Sequence, residues 1–205
     1  MKNVLSWMAN LWRGVCSVMG VRTAPEPRHD VLSQDGQFEI RVYPPLWVAQ
    51  TVVTADYREA GHIGFNRLAG YIFGGNKTRQ DMPMTTPVFR ESTGERIAMT
   101  APVLQQPDGE AWTMSFVMPE GYGQDTLPDP LDANVVLKQL PARKVAVLCY
   151  TGALDAKAIA THSAELLTWL ENQSIKPLSP PRSAAYDPPW TIPMRRRNEI
   201  HVDID

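Results

Sequence analysis

Hydrophobic and polar positions alternate in Phe38–Tyr43 (FEIRVY), where Phe38, Ile40 and Val42 oppose Glu39 and Arg41, the period-two pattern of a half-buried strand. Pro44 and Pro45 end the run, because proline has no N–H for a ladder. Residues 47–54 (WVAQTVVT) are β-rich and are expected to return as its antiparallel neighbour. The period then lengthens. Residues 58–73 place Ala60, Ile63, Leu68, Tyr71 and Ile72 among polar positions and meet Gly74 and Gly75, which predicts a helix with a glycine stop.

The same order recurs 97 residues later, counted from Pro44 to Pro141. Residues 134–140 alternate, Pro141 punctuates, residues 145–150 (VAVLCY) form an apolar strand, and Asp155 is placed to cap a helix running through Asn172. Ile159, Leu166, Leu167, Trp169 and Leu170 mark the inner face of that helix. This predicts a duplicated half-domain whose copies share one sheet system, since neither could bury a core alone. A shorter repeat, Met84-Thr85-Thr86-Pro87-Val88 against Met99-Thr100-Ala101-Pro102-Val103, suggests facing or equivalent strands. Residues 112–118 alternate as a further strand, the proline-rich tract from Lys176 reads as an extended surface loop, and residues 198–204 (NEIHVDI) read as a last strand.

The first 22 residues differ from the rest. At about 100° per residue, Val4, Leu5, Trp7, Met8, Leu11, Trp12, Val15, Val18 and Met19 share one arc, opposite Lys2, Asn3, Ser6, Asn10, Arg13 and Ser17. Residues 1–22 are therefore expected to form an amphipathic helix, 23–37 a linker and 38–205 the folded body. Arg13 splits the apolar run into pieces too short to span a bilayer. Three roles stay open for residues 4–19: packing or a homodimer contact, a membrane surface, or a cleaved export signal.

Composition narrows the function classes. Lys plus Arg number 20 and Asp plus Glu 22, for a net charge of −2, so no broad basic footprint for nucleic acid exists. Only Cys16 and Cys149 are present, and His29, His62, His162 and His201 never fall at HxxxH or HExxH spacing. Neither a disulfide framework nor a zincin-type site fits. There is no phosphate loop, nucleophile triad or carboxylate pair with an evident task, which favours a binder over an enzyme. Proline is abundant, 18 of 205 residues, and punctuates the predicted strands.

Several of these blocks together resemble the SOUL haem-binding family. They are FEIRVY, Gly70-Tyr71-Ile72-Phe73-Gly74-Gly75-Asn76, the doubled MTxPV blocks, Met118-Pro119 after the Trp112 strand, and Leu127-Pro128 with Pro130. The closing run Tyr186-Asp187-Pro188-Pro189-Trp190-Thr191, followed by Arg196-Arg197-Asn198-Glu199, completes the set. The resemblance implies an α+β fold, a distorted antiparallel β-barrel of two pseudo-symmetric halves, each with one helix, similar to the GyrI-like effector-binding fold. It also implies non-covalent binding of haem or another porphyrin in a shallow apolar cleft between the first helix and a late loop, for buffering, transport or sensing. A cytoplasmic or membrane-peripheral location accompanies that reading, with export left open. Rival readings are a haem-dechelating or haem-degrading enzyme and an interaction module that works through the N-terminal helix.

A porphyrin asks for a flat apolar wall and rim cations for its propionates. On the first helix the candidates are Ile63, Phe65, Leu68, Tyr71 and Ile72, with Arg67 as propionate partner; on the late loop they are Tyr186 and Trp190. Leu68 and Ile72 also read as ordinary core. His62 begins the same helix and is the candidate axial ligand for iron. His201 is expected to point out of the last strand, and Arg195–Arg197 with Glu199, Asp203 and Asp205 to form a solvated, self-compensated strand end.

Overall fold

The computed structural model describes residues 22, 24–77 and 94–205. The predicted N-terminal helix and the Met84 block lie outside the described residues. Eleven strands and two long helices follow in chain order among those described. They are β1 (Asp30–Asp35), β2 (Phe38–Tyr43), β3 (Leu46–Val53), α1 (Tyr57–Ile72), β4 (Asn76–Lys77), β5 (Val103–Asp108) and β6 (Ala111–Val117). Then come β7 (Asp129–Pro130), β8 (Val136–Leu140), β9 (Arg143–Tyr150), α2 (Ala156–Asn172), β10 (Arg182–Ala185) and β11 (Asn198–Ile204).

Both helices begin on a capping carboxylate, Asp56 accepting from the Glu59 N–H and Asp155 from the Ala158 N–H. Nine strands form one antiparallel sheet in the order β1-β2-β9-β11-β10-β5-β6-β3-β8. Read outward from the β10–β5 junction the order is symmetric, since β11, β9 and β2 on one side mirror β6, β3 and β8 on the other. The duplication is thus built into the pairing.

That symmetry corrects one expectation. β2 and β3 are not neighbours: β2 pairs with β9 (Phe38 opposite Leu148) and β3 with β8 (Leu46 opposite Leu140). Each half exchanges its strands with the other, and Pro44-Pro45 form a corner between two parts of the sheet rather than a hairpin turn. The proline-rich tract departs from expectation as well. Within it, Arg182–Ala185 is a central strand hydrogen-bonded to β5 and β11, so only its flanks are loop. β1, within the segment read as linker, is an exposed edge strand whose DVLSQD has no alternation to announce it.

The sheet curls, and α1 and α2 cover one face. α1 packs Leu68, Tyr71 and Ile72 against Ala49, Met114 and Phe116. A Cβ at Gly64 would stand 3.2 Å from the Met114 side chain, so the glycine lets helix and strand approach closely. α2 packs Leu166 and Leu170 against Ala146, Leu148, Ile200 and Val202. The alternate residues, Val48, Val117, Ala184, Tyr186, Tyr43, Val145 and Val147, line the opposite, concave face. No described helix is long and apolar enough to cross a membrane.

Candidate functional site

The faces of α1 follow from its period. Ala60, Gly64, Leu68, Tyr71 and Ile72 are buried, and the Tyr71 hydroxyl donates to the Pro128 carbonyl at 2.9 Å. Leu68, Tyr71 and Ile72 are therefore core, closed to a ligand while the helix stays seated. The outer face carries His62, Phe65, Asn66 and, just past the last turn, Phe73. Phe65 is 39% exposed and Phe73 58%. Eight residues separate them, about 12 Å along a helix axis. Phe65 is braced edge-on by Phe116, with ring centroids 5.4 Å apart. His62 Nε2 meets the Asn66 side-chain amide at 3.1 Å.

Ile63 and Arg67 are half-buried on the flank of α1 toward β3, where Arg67 Nη1 donates to the Val52 carbonyl at 3.3 Å. His62 and Phe65 thus lie on the outer side of the helix, with Phe65 toward Phe116, and Ile63 and Arg67 on its β3 flank. The late loop does not join them. Tyr186 is buried on the concave side with Val48, Leu104 and Val117, whereas α1 covers the other face of the same strands. Trp190 is 63% exposed in the loop that follows.

The concave face holds a group the sequence reading did not assemble. Glu199, 0% exposed, accepts from both terminal nitrogens of Arg41 (3.0 and 3.1 Å), from Arg197 Nε and Nη2 (2.9 and 2.7 Å) and from the Tyr186 hydroxyl (2.7 Å). His201 Nε2 lies 2.7 Å from the same carboxylate, and the Cys149 thiol 3.4 Å. Glu39 and Glu26 pair with the outer sides of Arg41 and Arg197. The expectation of a solvated strand end is corrected here. Glu199 and His201 are buried because the curled sheet turns their face inward. The chain at 24–29 lies over this end, with Ala101 N–H donating to the Pro25 carbonyl and His29 packed on Tyr43.

Electrostatics matches this geometry. Burial by itself raises the Glu199 carboxyl, but the His201 and Arg41 contacts outweigh it and hold the group well below the usual carboxylate range. Burial pushes the His201 imidazole down; the Glu199 contact opposes this only in part, and the charges of Arg182 and Arg41 add to the lowering. The Cys149 thiol is pushed up to about 12 by burial and by the Glu199 charge. A saturated carboxylate, a neutral imidazole and an inert thiol describe a structural hub rather than a reactive centre.

At the opposite end the concave face is open. A cleft of about 770 Å³ is lined by residues of β3, β5, β6, β8, β9, β10 and β11, among them Arg143, Arg182 and Asp203. Among the described residues no cluster of three or more His, Cys, Asp or Glu side chains is arranged to hold a metal ion.

Comparison with known proteins agrees with this fold. A family model described as SOUL heme-binding protein matches residues 24–203. The mouse (Mus musculus) protein "Heme-binding protein 2" is 41% identical over 66 residues, 32% of this chain and 31% of the relative. Its human (Homo sapiens) namesake is 29% identical over 135 residues, 65% of this chain and 60% of the relative. The aligned region therefore spans less than two thirds of either relative's length. Among solved structures, the EcmrR C-terminal domain superposes with a TM-score of 0.57 at 15% identity, over 82% of this chain and 97% of that one. A Listeria innocua protein titled a hydrolase gives 0.53 at 10% identity, over 85% and 94%. At such identities these structures speak for the fold alone, an α+β half-barrel of the SOUL and GyrI-like type. With nearly all of the body inside the matched region, the chain belongs to the SOUL heme-binding protein family.

Proposed function

We propose that this protein binds haem, or a closely related tetrapyrrole, without a covalent bond, on the outer face of α1, and so buffers, carries or senses it. The observation that carries this reading is the uncovered aromatic pair Phe65 and Phe73, 39% and 58% exposed, with His62 about one turn before Phe65 on the outer face of the helix. Aromatic rings left in water on a helix that buries Ala60, Leu68, Tyr71 and Ile72 offer a flat ligand the surface it needs. Arg67, on the flank, supplies a cation for a propionate. Membership of the family and the names of the two relatives support the ligand class.

The residues present fit a porphyrin held chiefly by its faces. Haem brings a redox-active iron and a strong Soret band; the chain supplies apolar contact, charge at the rim and one nearby imidazole. His62 has a secondary role, because its Nε2 already meets Asn66. Of the nine residues considered, His62, Ile63, Phe65 and Arg67 remain the proposed contacts. Leu68, Tyr71 and Ile72 support them from within the core. Tyr186 belongs to the Glu199 hub, and Trp190 is left outside the site.

The test is a titration of the full chain with hemin and, separately, with iron-free protoporphyrin. Saturable binding of both, with a haem spectrum stable over hours, supports a carrier held by ring contacts. Progressive loss of the Soret band with release of iron supports the enzyme reading instead, and absence of saturable binding overturns the proposal.

A further inference from the structure

The open end of the concave face has a charge balance its neighbours do not correct. Arg182 pairs through both terminal nitrogens with the Asp203 carboxylate. Arg143 shares that carboxylate, its Nε 3.4 Å from Asp203 Oδ1. One carboxylate thus serves two guanidinium groups, both largely buried. The Nε atoms of Arg143 and Arg182 are buried without a hydrogen-bond partner. Among the described residues no hydrogen bond engages the terminal nitrogens of Arg143, whose guanidinium stands 5.9 Å from the Tyr43 ring centroid. Burial and the nearby Arg182 charge both press Arg143 toward its uncharged form.

The titratable groups facing the same space are Lys138, Arg143, Lys144, Arg182, Asp203 and Asp205. Two arginines and two lysines thus stand against the side-chain carboxylates of Asp203 and Asp205. Lys144 donates to the Asp205 main-chain oxygen at 2.8 Å. Leu104, Leu140 and Leu178 contribute aliphatic surface to the same lining, among polar side chains such as Gln50, Gln106 and Ser115. Two buried guanidiniums on one carboxylate, beside the exposed ammonium groups of Lys138 and Lys144 and the leucine side chains of a cleft of about 770 Å³, are complementary to an anion with an apolar body.

We propose that this cleft binds an amphipathic oxyanion, whose carboxylate or phosphate head is taken by Arg143 beside Arg182 and whose apolar body lies along Leu104, Leu140 and Leu178. The site is separate from the α1 surface, since it lies on the other face of the sheet. Its ligand relieves the crowding of two guanidiniums on one carboxylate by providing the second anion.

The experiment is calorimetric titration of the full chain with decanoate, decyl phosphate and uncharged 1-decanol. Both anions are expected to bind at least about tenfold more tightly than the alcohol, since charge-assisted hydrogen bonds are the stronger ones. Preference between the two anions identifies the head group. Arg143→Gln leaves the Arg182–Asp203 pair in place and is expected to weaken anion binding at least about tenfold without altering the alcohol. Should that variant fail to fold, Lys138→Gln at the exposed rim is expected to lose about threefold, an effect that shrinks with added salt. Equal binding of decanoate and decanol, or wild-type anion affinity in every folded variant, would overturn the proposal. Hemin titration of Arg143→Gln is expected to match wild type, and decanoate is not expected to displace haem. Displacement would show that the two ligands share one site, and would overturn the claim of a separate one.

Discussion

Replacing Glu199 by Gln removes one charge and almost no volume, so it isolates what the carboxylate does. The wild-type group is fully buried and serves Arg41, Arg197, Tyr186 and His201 together. A carboxamide keeps a single acceptor oxygen and turns an NH2 group toward donors on its other side. Breaking a buried ion pair by removing one partner costs about 3–5 kcal/mol. Here Arg41 retains Glu39 at 2.7 Å and Arg197 retains Glu26 at 3.1 Å, which places the expected loss at the lower end, about 3 kcal/mol. For a chain of this size that is a fall in Tm of about 6–12 °C.

Urea denaturation at several pH values supplies a second check. The native pKa of Glu199 is depressed below its ordinary 4.5, so its stabilisation is complete above that pH and is lost as pH falls. The gap between wild type and the variant is therefore expected to be constant between pH 6 and 7 and to narrow by about 1.4 kcal/mol per unit below pH 4.5. A gap under about 1 kcal/mol at pH 7, or one that does not change with pH, would refute the reasoning.

Three further outcomes are expected. With its thiol pushed up to about 12, Cys149 in a Cys16→Ser background is expected to react with a disulfide reagent at pH 8 at least about a thousandfold more slowly than free cysteine; a rate within tenfold contradicts the burial argument. Gly64→Val forces a side chain against Met114 and is expected to cost about 1–3 kcal/mol by thermal denaturation. Gly70→Ala, with nothing within 4 Å, is expected to gain up to about 1 kcal/mol, and the reverse order would place α1 wrongly. His62→Ala is expected to leave hemin affinity within about threefold of wild type, while a loss beyond tenfold would make the imidazole a principal ligand.

How far the sequence disclosed this molecule depended on the scale of the signal. Alternation found β2, β6, β8 and β11, an apolar run found β9, and period with a glycine stop or a capping aspartate found the two helices, because those patterns are local. What pairs with what was not local. Pro44-Pro45 reads equally as a hairpin turn or as a corner, and only the shared sheet decides that β2 seeks β9 instead of β3. Arg182–Ala185 hid among prolines because its four residues, RSAA, carry no β signal and gain their strand from β5 and β11.

For the candidate site, the first helix and the late loop were joined by the family resemblance alone, and the structure does not bring Tyr186 to α1. The sheet stands between them. The Glu199 hub failed for a related reason. NEIHVDI was read with the right period, but its polar face was assigned to solvent, and curling of the sheet makes that face an interior. A sequence clue existed in the charged positions of FEIRVY and NEIHVDI, Arg41 and Glu199, which complement each other. Their pairing needed the fold to become visible.

The central claim, that a tetrapyrrole is held by the exposed rings of α1, is tested most directly by hemin titration of Phe65→Ala/Phe73→Ala beside wild type, with melting curves of both. Aromatic contacts of this kind contribute about 0.5–1.5 kcal/mol each beyond area, so the double variant is expected to lose about tenfold in affinity at nearly unchanged Tm. Hemin affinity unchanged within about twofold in a folded double variant would contradict the account and move the haem elsewhere on the protein.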